Sequence, residues 1–227
     1  MAELKPPYPV PGPEDRATFV GATGSGKTYN MIRLAGWWHG RKQIIVIDSK
    51  IDKAYAKLDA KVVKSAAALS APGLRRTPLI VYQPTSGEML DQTLNQVFGW
   101  IFRRGQTLVL IDETTQVCGG KTTPFPGLLD CITRGRVRGV QVWCGTQRPV
   151  GLPPICLSEA EWIFCGNLRR RGDRSVIDGY TEDGYADHVH QLANSGQPHS
   201  VGVYRAGEPI RYGPQIQALL LQGSERT

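Results

Sequence analysis

The chain has 227 residues, of which 41% are hydrophobic, and it carries a formal net charge of +7 at pH 7. This length and apolar content suit one α/β domain with a core large enough to fold alone. No apolar run is long enough to cross a bilayer, so we expect no membrane-spanning segment. The five cysteines form no C-x-x-C pair, which argues against a structural zinc site. With no signal-peptide pattern either, we expect a reducing, cytoplasmic compartment.

A glycine-rich segment follows the first predicted strand, residues 17–20. It reads Gly21-Ala22-Thr23-Gly24-Ser25-Gly26-Lys27-Thr28 and matches the phosphate-binding pattern G-x-x-x-x-G-K-[ST] at every fixed position. The backbone N–H groups of such a loop turn towards the phosphates, Lys27 supplies charge for the β- and γ-phosphates, and Thr28 offers a hydroxyl to Mg²⁺. Apolar residues at helical spacing predict a helix over 29–38 directly afterwards. The segment therefore predicts a site for ATP and Mg²⁺.

The rest of the chain alternates between strand-like and helix-like patterns. This alternation predicts an α/β fold, a RecA-like P-loop core whose mainly parallel central sheet is flanked by helices. An amphipathic helix is expected over 90–102 and a hairpin over 201–212. The other strands are predicted at 44–48, 79–82, 108–111, 140–144 and 162–165.

The domain organisation is predicted as a proline-rich arm over 1–16, one ATPase domain over 17–215 and a tail over 216–227. The prolines of the arm prevent regular structure. Such an arm could grip a neighbouring subunit or be a disordered leader, and the sequence leaves both open.

Two carboxylates, Asp112 and Glu113, end the apolar run that begins at Thr107. A continuous apolar run is typical of a central parallel strand, and ligands bind where such strands end. Asp112 is predicted to hold Mg²⁺ through its water shell, and Glu113 to orient and deprotonate the water that attacks the γ-phosphate. The alternative is an ordinary strand followed by an acidic turn.

The strand predicted at 140–144 ends in a polar tip that contains Gln147 and Arg148. The tip brings an amide and a guanidinium to the same edge of the sheet as Asp112. In P-loop ATPases with a strand inserted between the two nucleotide motifs, a polar residue here senses the γ-phosphate, and Gln147 suits that role. Arg148 is the candidate for a cation beyond the γ-phosphate in the same subunit. A plain turn stopped by Pro149 is the alternative.

The segments 111–113, 133–140 and 145–149 together resemble the FtsK/HerA superfamily of DNA-pumping ATPases, over roughly residues 17 to 180. In that family a basic helix carrying an arginine precedes the fourth strand. The resemblance therefore implies a hexameric ring in which Arg136 acts in trans as an arginine finger; a solvated helix face is the alternative for Arg136. Since neither the membrane helices of FtsK nor the amino-terminal barrel of HerA is evident, the chain looks like the genome-packaging ATPases of tailless, membrane-containing phages.

The resemblance implies ATP-driven translocation of double-stranded DNA into a preformed capsid, through portal or vertex proteins, in the host cytoplasm or the virion. Clustered basic residues favour a polyanionic partner, and Lys121, Arg169, Arg170 and Arg171 are predicted to contact DNA. A solvated surface or a plain connecting loop explains these residues equally well. Three alternatives remain: a cytoplasmic HerA-like translocase, a filamentous-phage assembly or secretion ATPase, and an assembly NTPase that binds no nucleic acid.

Overall fold

The computed structural model describes residues 10–213, and these form one nine-stranded sheet. Its strands are β1 Ala17–Val20, β2 Gln43–Ile47, β3 Lys61–Val63, β4 Leu79–Tyr82, β5 Thr107–Ile111, β6 Val140–Thr146, β7 Trp162–Cys165, β8 Val201–Arg205 and β9 Arg211–Gly213. The order across the sheet is β3-β4-β2-β5-β6-β1-β7-β8-β9. Neighbours are parallel as far as β7, and β8 and β9 add an antiparallel hairpin. The parallel strands therefore end at one common edge.

Helices connect the strands and cover both faces of the sheet. They are α1 Lys27–Gly36, α2 Ala66–Leu69, α3 Asp91–Arg104, α4 Thr114–Val117, α5 Pro126–Arg134, α6 Ile155–Ser158, α7 Arg171–Asp178 and α8 Tyr185–Asn194. Short 3₁₀ segments supplement them at 55–57, 72–76, 135–138 and 149–151. Within residues 10–213 no helix combines the length and apolarity that a bilayer span requires.

The central strands are apolar throughout because both of their faces are buried. On β2, Ile45 and Ile47 pack with α3 on one face of the sheet, while Ile44 and Val46 pack with α1 on the other. All four side chains are fully buried. Successive side chains along a strand thus belong alternately to two separate apolar layers, one on each face of the sheet, as in other parallel sheets.

The predicted α/β fold is confirmed, and the predicted strands and helices lie within two residues of their observed bounds. One strand, β3, was not predicted because it has three residues and Lys61 and Val62 are exposed at the edge of the sheet. The predicted basic helix before β6 is also different. Its helical part, α5, ends at Arg134, and the chain then tightens into the 3₁₀ segment 135–138 because it must enter β6 at Val140.

The end of the predicted arm packs against the amino-terminal edge of the sheet. Asp15 accepts hydrogen bonds from the Gly12 N–H and from the indole N–H of Trp162, both at 2.8 Å. Arg16 forms ion pairs with Glu159 and Glu161 at 2.7 and 2.5 Å. Residues 1–9 of the arm and the predicted tail over 216–227 lie outside the described residues.

Candidate nucleotide site

The glycine-rich loop connects the buried strand β1 to the start of α1. Gly24 and Gly26 have φ angles of 82° and 87°, in the left-handed region that side chains with a Cβ disfavour. Gly26 directly precedes Lys27, the first residue of α1. The loop thus turns sharply and presents backbone N–H groups at a helix amino terminus, which suits a phosphate group.

Lys27, Thr28 and Asp112 meet where this loop faces the end of β5. The Lys27 ammonium donates to the Asp112 carboxylate at 2.8 Å and to the Asp112 carbonyl at 2.7 Å. The Thr28 hydroxyl donates to the same carboxylate oxygen at 2.8 Å. Two oxygens suited to Mg²⁺ therefore lie side by side next to a buried ammonium, which fits a magnesium–triphosphate group.

The Asp112 carboxyl is buried, with 4% of its side chain exposed. Burial alone would raise the pKa of Asp112, but the Lys27 charge and hydrogen bonds from Lys27, Thr28 and Tyr55 outweigh it and hold the pKa below its usual value. Tyr55 is buried and donates its hydroxyl to Asp112 at 3.3 Å. Asp112 is thereby kept ionised, as a carboxylate ligand of a cation must be.

Glu113 is held by partners from two neighbouring strands. Its Oε1 accepts the Thr146 hydroxyl at 2.8 Å and the Gln147 N–H at 3.3 Å. Its Oε2 accepts the Lys50 ammonium at 2.7 Å. The Thr115 hydroxyl is in turn 2.8 Å from that of Thr146. The side chain is 7% exposed, so Glu113 is fixed at the mouth of the site.

Gln147 and Arg148 lie next to Glu113, in agreement with their predicted position at the same edge of the sheet. The Gln147 amide oxygen accepts the hydroxyl of Thr23, a loop residue, at 3.0 Å. Arg148 is paired at 2.9 Å with the buried carboxylate of Asp173 on α7. A cavity of about 610 Å³ opens beside them, and Lys50, Glu113, Gln147 and Arg148 all line it. The structure therefore brings the predicted loop, both carboxylates and the polar tip together.

Two residues of this site, Lys50 and Tyr55, were missed by sequence reasoning. Lys50 follows β2 by three residues, so the rule that ligand-binding residues follow parallel strands could have identified it. Tyr55 gave no such signal, because its contact with Asp112 spans 57 residues of sequence and depends on how the chain returns over the sheet.

Arg136 lies away from this site, at the amino-terminal edge of the sheet. Its guanidinium is half exposed and is paired with Glu161 at 2.6 Å and with Glu14 at 3.9 Å. No contact with the nucleotide site exists within residues 10–213 of one chain, so a role in trans requires a second subunit.

The residues predicted to contact DNA lie on the surface. Lys121 forms an ion pair with Asp91. Arg169, Arg170 and Arg171 are exposed just before and at the start of α7, and within the described part of the chain none of the three pairs with a carboxylate. Their contact with DNA stays a prediction.

Two curated proteins are similar in sequence over most of their length. The DNA packaging ATPase P9 of Enterobacteria phage PRD1 is 27% identical over 178 residues, which cover 75% of this chain and 72% of that protein. Protein P9 of Pseudoalteromonas phage PM2 is 30% identical over 164 residues, which cover 70% of this chain and 72% of that protein. No protein-family model matches the chain.

Solved structures confirm the predicted P-loop fold. The DNA-packaging ATPase B204 from Sulfolobus turreted icosahedral virus has a TM-score of 0.73 and 19% identity, with 90% of this chain and 99% of that chain covered. The genome packaging NTPase B204 of Sulfolobus turreted icosahedral virus 2, in complex with ATP-γS, has a TM-score of 0.70 and 21% identity. The match covers 91% of this chain and 100% of that chain. VirB4 of Thermoanaerobacter pseudethanolicus is more distant, with a TM-score of 0.60 and 11% identity over 89% of each chain. Together with the sequence relatives, these findings confirm the resemblance to viral packaging motors: the chain belongs to the family of the phage DNA-packaging ATPases P9.

Proposed function

We propose that this chain hydrolyses ATP and uses the energy to drive double-stranded DNA into a preformed viral capsid. The observation that carries the proposal is the cluster of Lys27, Thr28 and Asp112 at the glycine-rich loop, in a chain related to a DNA packaging ATPase of phage PRD1. The motor acts in the infected host cell, at the capsid portal or vertex through which the genome enters. Nothing in the fold or the relatives favours the three alternative functions.

The loop and its neighbours support binding of ATP. Left-handed Gly24 and Gly26 direct backbone N–H groups towards the phosphates. The Lys27 ammonium exchanges Asp112 for the β- and γ-phosphates, where its charge is better compensated. Thr28 and Asp112 hold Mg²⁺, which, when bound, neutralises charge on the phosphates.

Glu113 is the general base of hydrolysis in this proposal. Thr146 and the Gln147 N–H fix one of its oxygens, so the carboxylate keeps a defined orientation towards the cavity. Its other oxygen accepts the proton of the attacking water, and for this Lys50 must release it. Glu113 can therefore act as the base only after its ion pair with Lys50 has broken.

The polar tip completes the site on the side of the γ-phosphate. The Gln147 side chain contacts Thr23 of the loop, and its backbone N–H contacts Glu113. Its amide therefore senses the γ-phosphate and couples the presence of that phosphate to the position of the base. Arg148 is held by Asp173, which leaves its guanidinium positioned beside the cavity.

In a ring, a neighbouring subunit adds a further cation to the Lys50 and Arg148 of each site. Head-to-tail subunits in a closed ring bring different surfaces together, so the amino-terminal edge of one subunit can meet the nucleotide edge of the next. Arg136 then leaves Glu161 and stabilises the transition state in the neighbouring site. We propose a homohexamer, as the resemblance to the FtsK/HerA superfamily implies.

The test is the ATPase rate of the full chain with and without linear duplex DNA, together with the mass of the assembly. A packaging motor gives a faster rate with duplex and forms a ring. An unchanged rate favours an assembly NTPase, and stimulation by anionic vesicles alone favours a secretion ATPase. Nuclease-protected DNA in purified empty capsids then separates packaging from translocation in the cytoplasm.

A further inference from the structure

A basic cavity lies at the amino-terminal edge of the sheet, opposite the nucleotide site. Its volume is about 380 Å³, and its walls come from the residues that lead into β2, β4 and β5. None of the residues that line it carries a carboxylate. Its cationic lining, here named the amino-edge basic strip, consists of Arg41, Lys42, Arg75, Arg76 and Arg104.

The amino-edge basic strip brings five cations close together. None of its members forms an ion pair with a carboxylate among residues 10–213. Burial lowers the pKa of Arg104, and the charge of Arg75 lowers it further. Burial also lowers the pKa of Lys42, against the opposing effect of Glu14. A bound anion would relieve this repulsion.

The cavity is held in shape by hydrogen bonds between its walls. The Gln43 side chain donates to the carbonyls of Leu74 and Thr77 at 2.9 and 2.7 Å, which ties the segment that carries Arg75 to β2. Arg104 donates to the Arg75 carbonyl at 2.6 Å. These bonds fix the backbone that carries Arg75 and the side chain of Arg104 before any ligand binds, which lowers the entropy cost of binding.

We propose that the amino-edge basic strip binds the sugar–phosphate backbone of duplex DNA, at a site separate from the nucleotide site. The inference rests on the proposed function for the presence of DNA, but its residues are independent of the nucleotide motifs. Guanidinium groups match phosphate oxygens in geometry as well as charge. Duplex DNA presents one charge per about 1.7 Å of axis, which suits several adjacent cations. Phosphate contacts carry no sequence information, as a motor that moves along any sequence requires.

Other polyanionic partners fit this surface less well. Membrane surfaces and acidic proteins are usually bound by cations together with exposed apolar anchors. Among the described residues, the large exposed apolar side chains lie outside the cavity: Tyr29, Ile51, Val62, Leu90, Val137, Val150 and Tyr212. The concave shape also suits phosphates that project from a convex backbone better than a flat bilayer.

The experiment compares two charge-matched variants of the full chain in binding a short duplex of mixed sequence across a salt series. The test variant is Arg41→Gln/Arg75→Gln/Arg76→Gln, at three exposed positions. The control is Lys53→Gln/Lys57→Gln/Lys64→Gln, which removes the same charge from three exposed positions outside the cavity. For each phosphate contact removed, the slope of log affinity against log salt concentration should become less steep by about 0.9 in the test variant. Its affinity at about 0.1 M salt should fall about eightfold per contact. The control should change the slope little.

The variant Arg41→Lys/Arg75→Lys/Arg76→Lys should retain most of the slope, because the charge remains. Basal ATPase rate, melting temperature and assembly mass should stay at wild-type values, which shows that folding and assembly are intact. Unchanged DNA binding in the test variant, or an equal loss in the control, overturns the inference. If the test variant keeps its DNA binding but no longer assembles into a ring, or no longer binds anionic vesicles, the strip serves another partner. Either result also overturns the inference. Absence of duplex binding by the wild type contradicts the proposed function instead.

Discussion

Lys50 and Glu113 form an ion pair of 2.7 Å at the mouth of the nucleotide site. Lys50 follows β2, and Glu113 follows β5, the strand beside it. The general base proposed for hydrolysis is thus tied to a cation that neither nucleotide motif contains. In the proposed mechanism, release of the base from Lys50 is therefore a separate step from binding of ATP.

Replacement of Lys50 by Met should raise the basal ATPase rate about two- to fivefold in the absence of DNA. The factor corresponds to breaking a half-exposed ion pair worth about 0.4–1 kcal/mol. Lys50→Arg should keep the rate low because the charge remains. Steady-state phosphate release measures both. The control is Lys53→Met, because Lys53 is an exposed lysine nearby that forms no ion pair among residues 10–213. A slower rate in Lys50→Met would show that Lys50 assists the reaction instead.

Glu113→Gln should retain binding of ATP and Mg²⁺ and lose turnover by a factor of about 10² to 10⁴. The amide can still hydrogen-bond water but cannot take its proton. Lys27→Ala should instead weaken nucleotide binding, because charge on the phosphates is left uncompensated. Equilibrium binding of a fluorescent ATP analogue and single-turnover hydrolysis separate the two effects. Wild-type turnover in Glu113→Gln would exclude it as the base, and tight ATP binding by Lys27→Ala would argue against the loop as the phosphate site.

Arg136→Ala should lower the ATPase rate of the assembled ring about 10³- to 10⁵-fold, the range typical of an arginine finger. Mixed with Glu113→Gln subunits, it should regain activity, because some sites then combine an intact Glu113 with a neighbour that carries Arg136. Arg134→Ala is the control, since Arg134 is exposed and paired with Asp130 on its own helix. Co-assembly without recovery would rule out the arrangement in trans.

The Arg16–Glu161 pair should stabilise the fold in a pH-dependent way. Burial alone would raise the pKa of Glu161, but hydrogen bonds and charge from Arg16 hold it below its usual value of about 4.3. A lowered carboxyl pKa contributes stability that is complete above the unfolded value and is lost as pH falls through the folded value. Arg16→Met should therefore cost about 2 kcal/mol at pH 7, between the exposed and buried ranges for ion pairs.

That cost should shrink as the pH falls below about 4, since protonated Glu161 no longer needs its partner. Urea unfolding at a series of pH values measures it. Glu161→Gln should show the same convergence at low pH. A cost independent of pH would mean that Arg16 acts through packing alone.

The nucleotide site could be predicted from sequence because its parts are local. Lys27 and Thr28 are fixed by one short motif, and Asp112 and Glu113 directly end an apolar run. The rule that ligand-binding residues follow parallel strands at one edge of the sheet correctly predicted that these segments lie together. It could not give the partner of each side chain, and the Lys50–Glu113 pair spans 63 residues of sequence.

The amino-edge basic strip was beyond sequence reasoning for a related reason. Its arginines come from three separate connections, so no run of charge marks it in the sequence. The sequence instead predicts DNA contacts at a cluster that is visible as a run, Arg169 to Arg171. Only the order of the strands shows that Arg41, Arg75 and Arg104 precede neighbouring strands.

Strand β6 joins the two ends of the molecule without interruption. Its seven residues, Val140–Thr146, span about 20 Å at about 3.3 Å per residue. They start after Gly139, whose carbonyl accepts Lys42 at 3.0 Å, and end at Thr146, which holds Glu113. A buried strand paired on both sides contains no hinge, so it cannot absorb displacement by bending. We therefore expect a displacement at the nucleotide end of β6 to move the whole strand, so that its amino-terminal end moves with it.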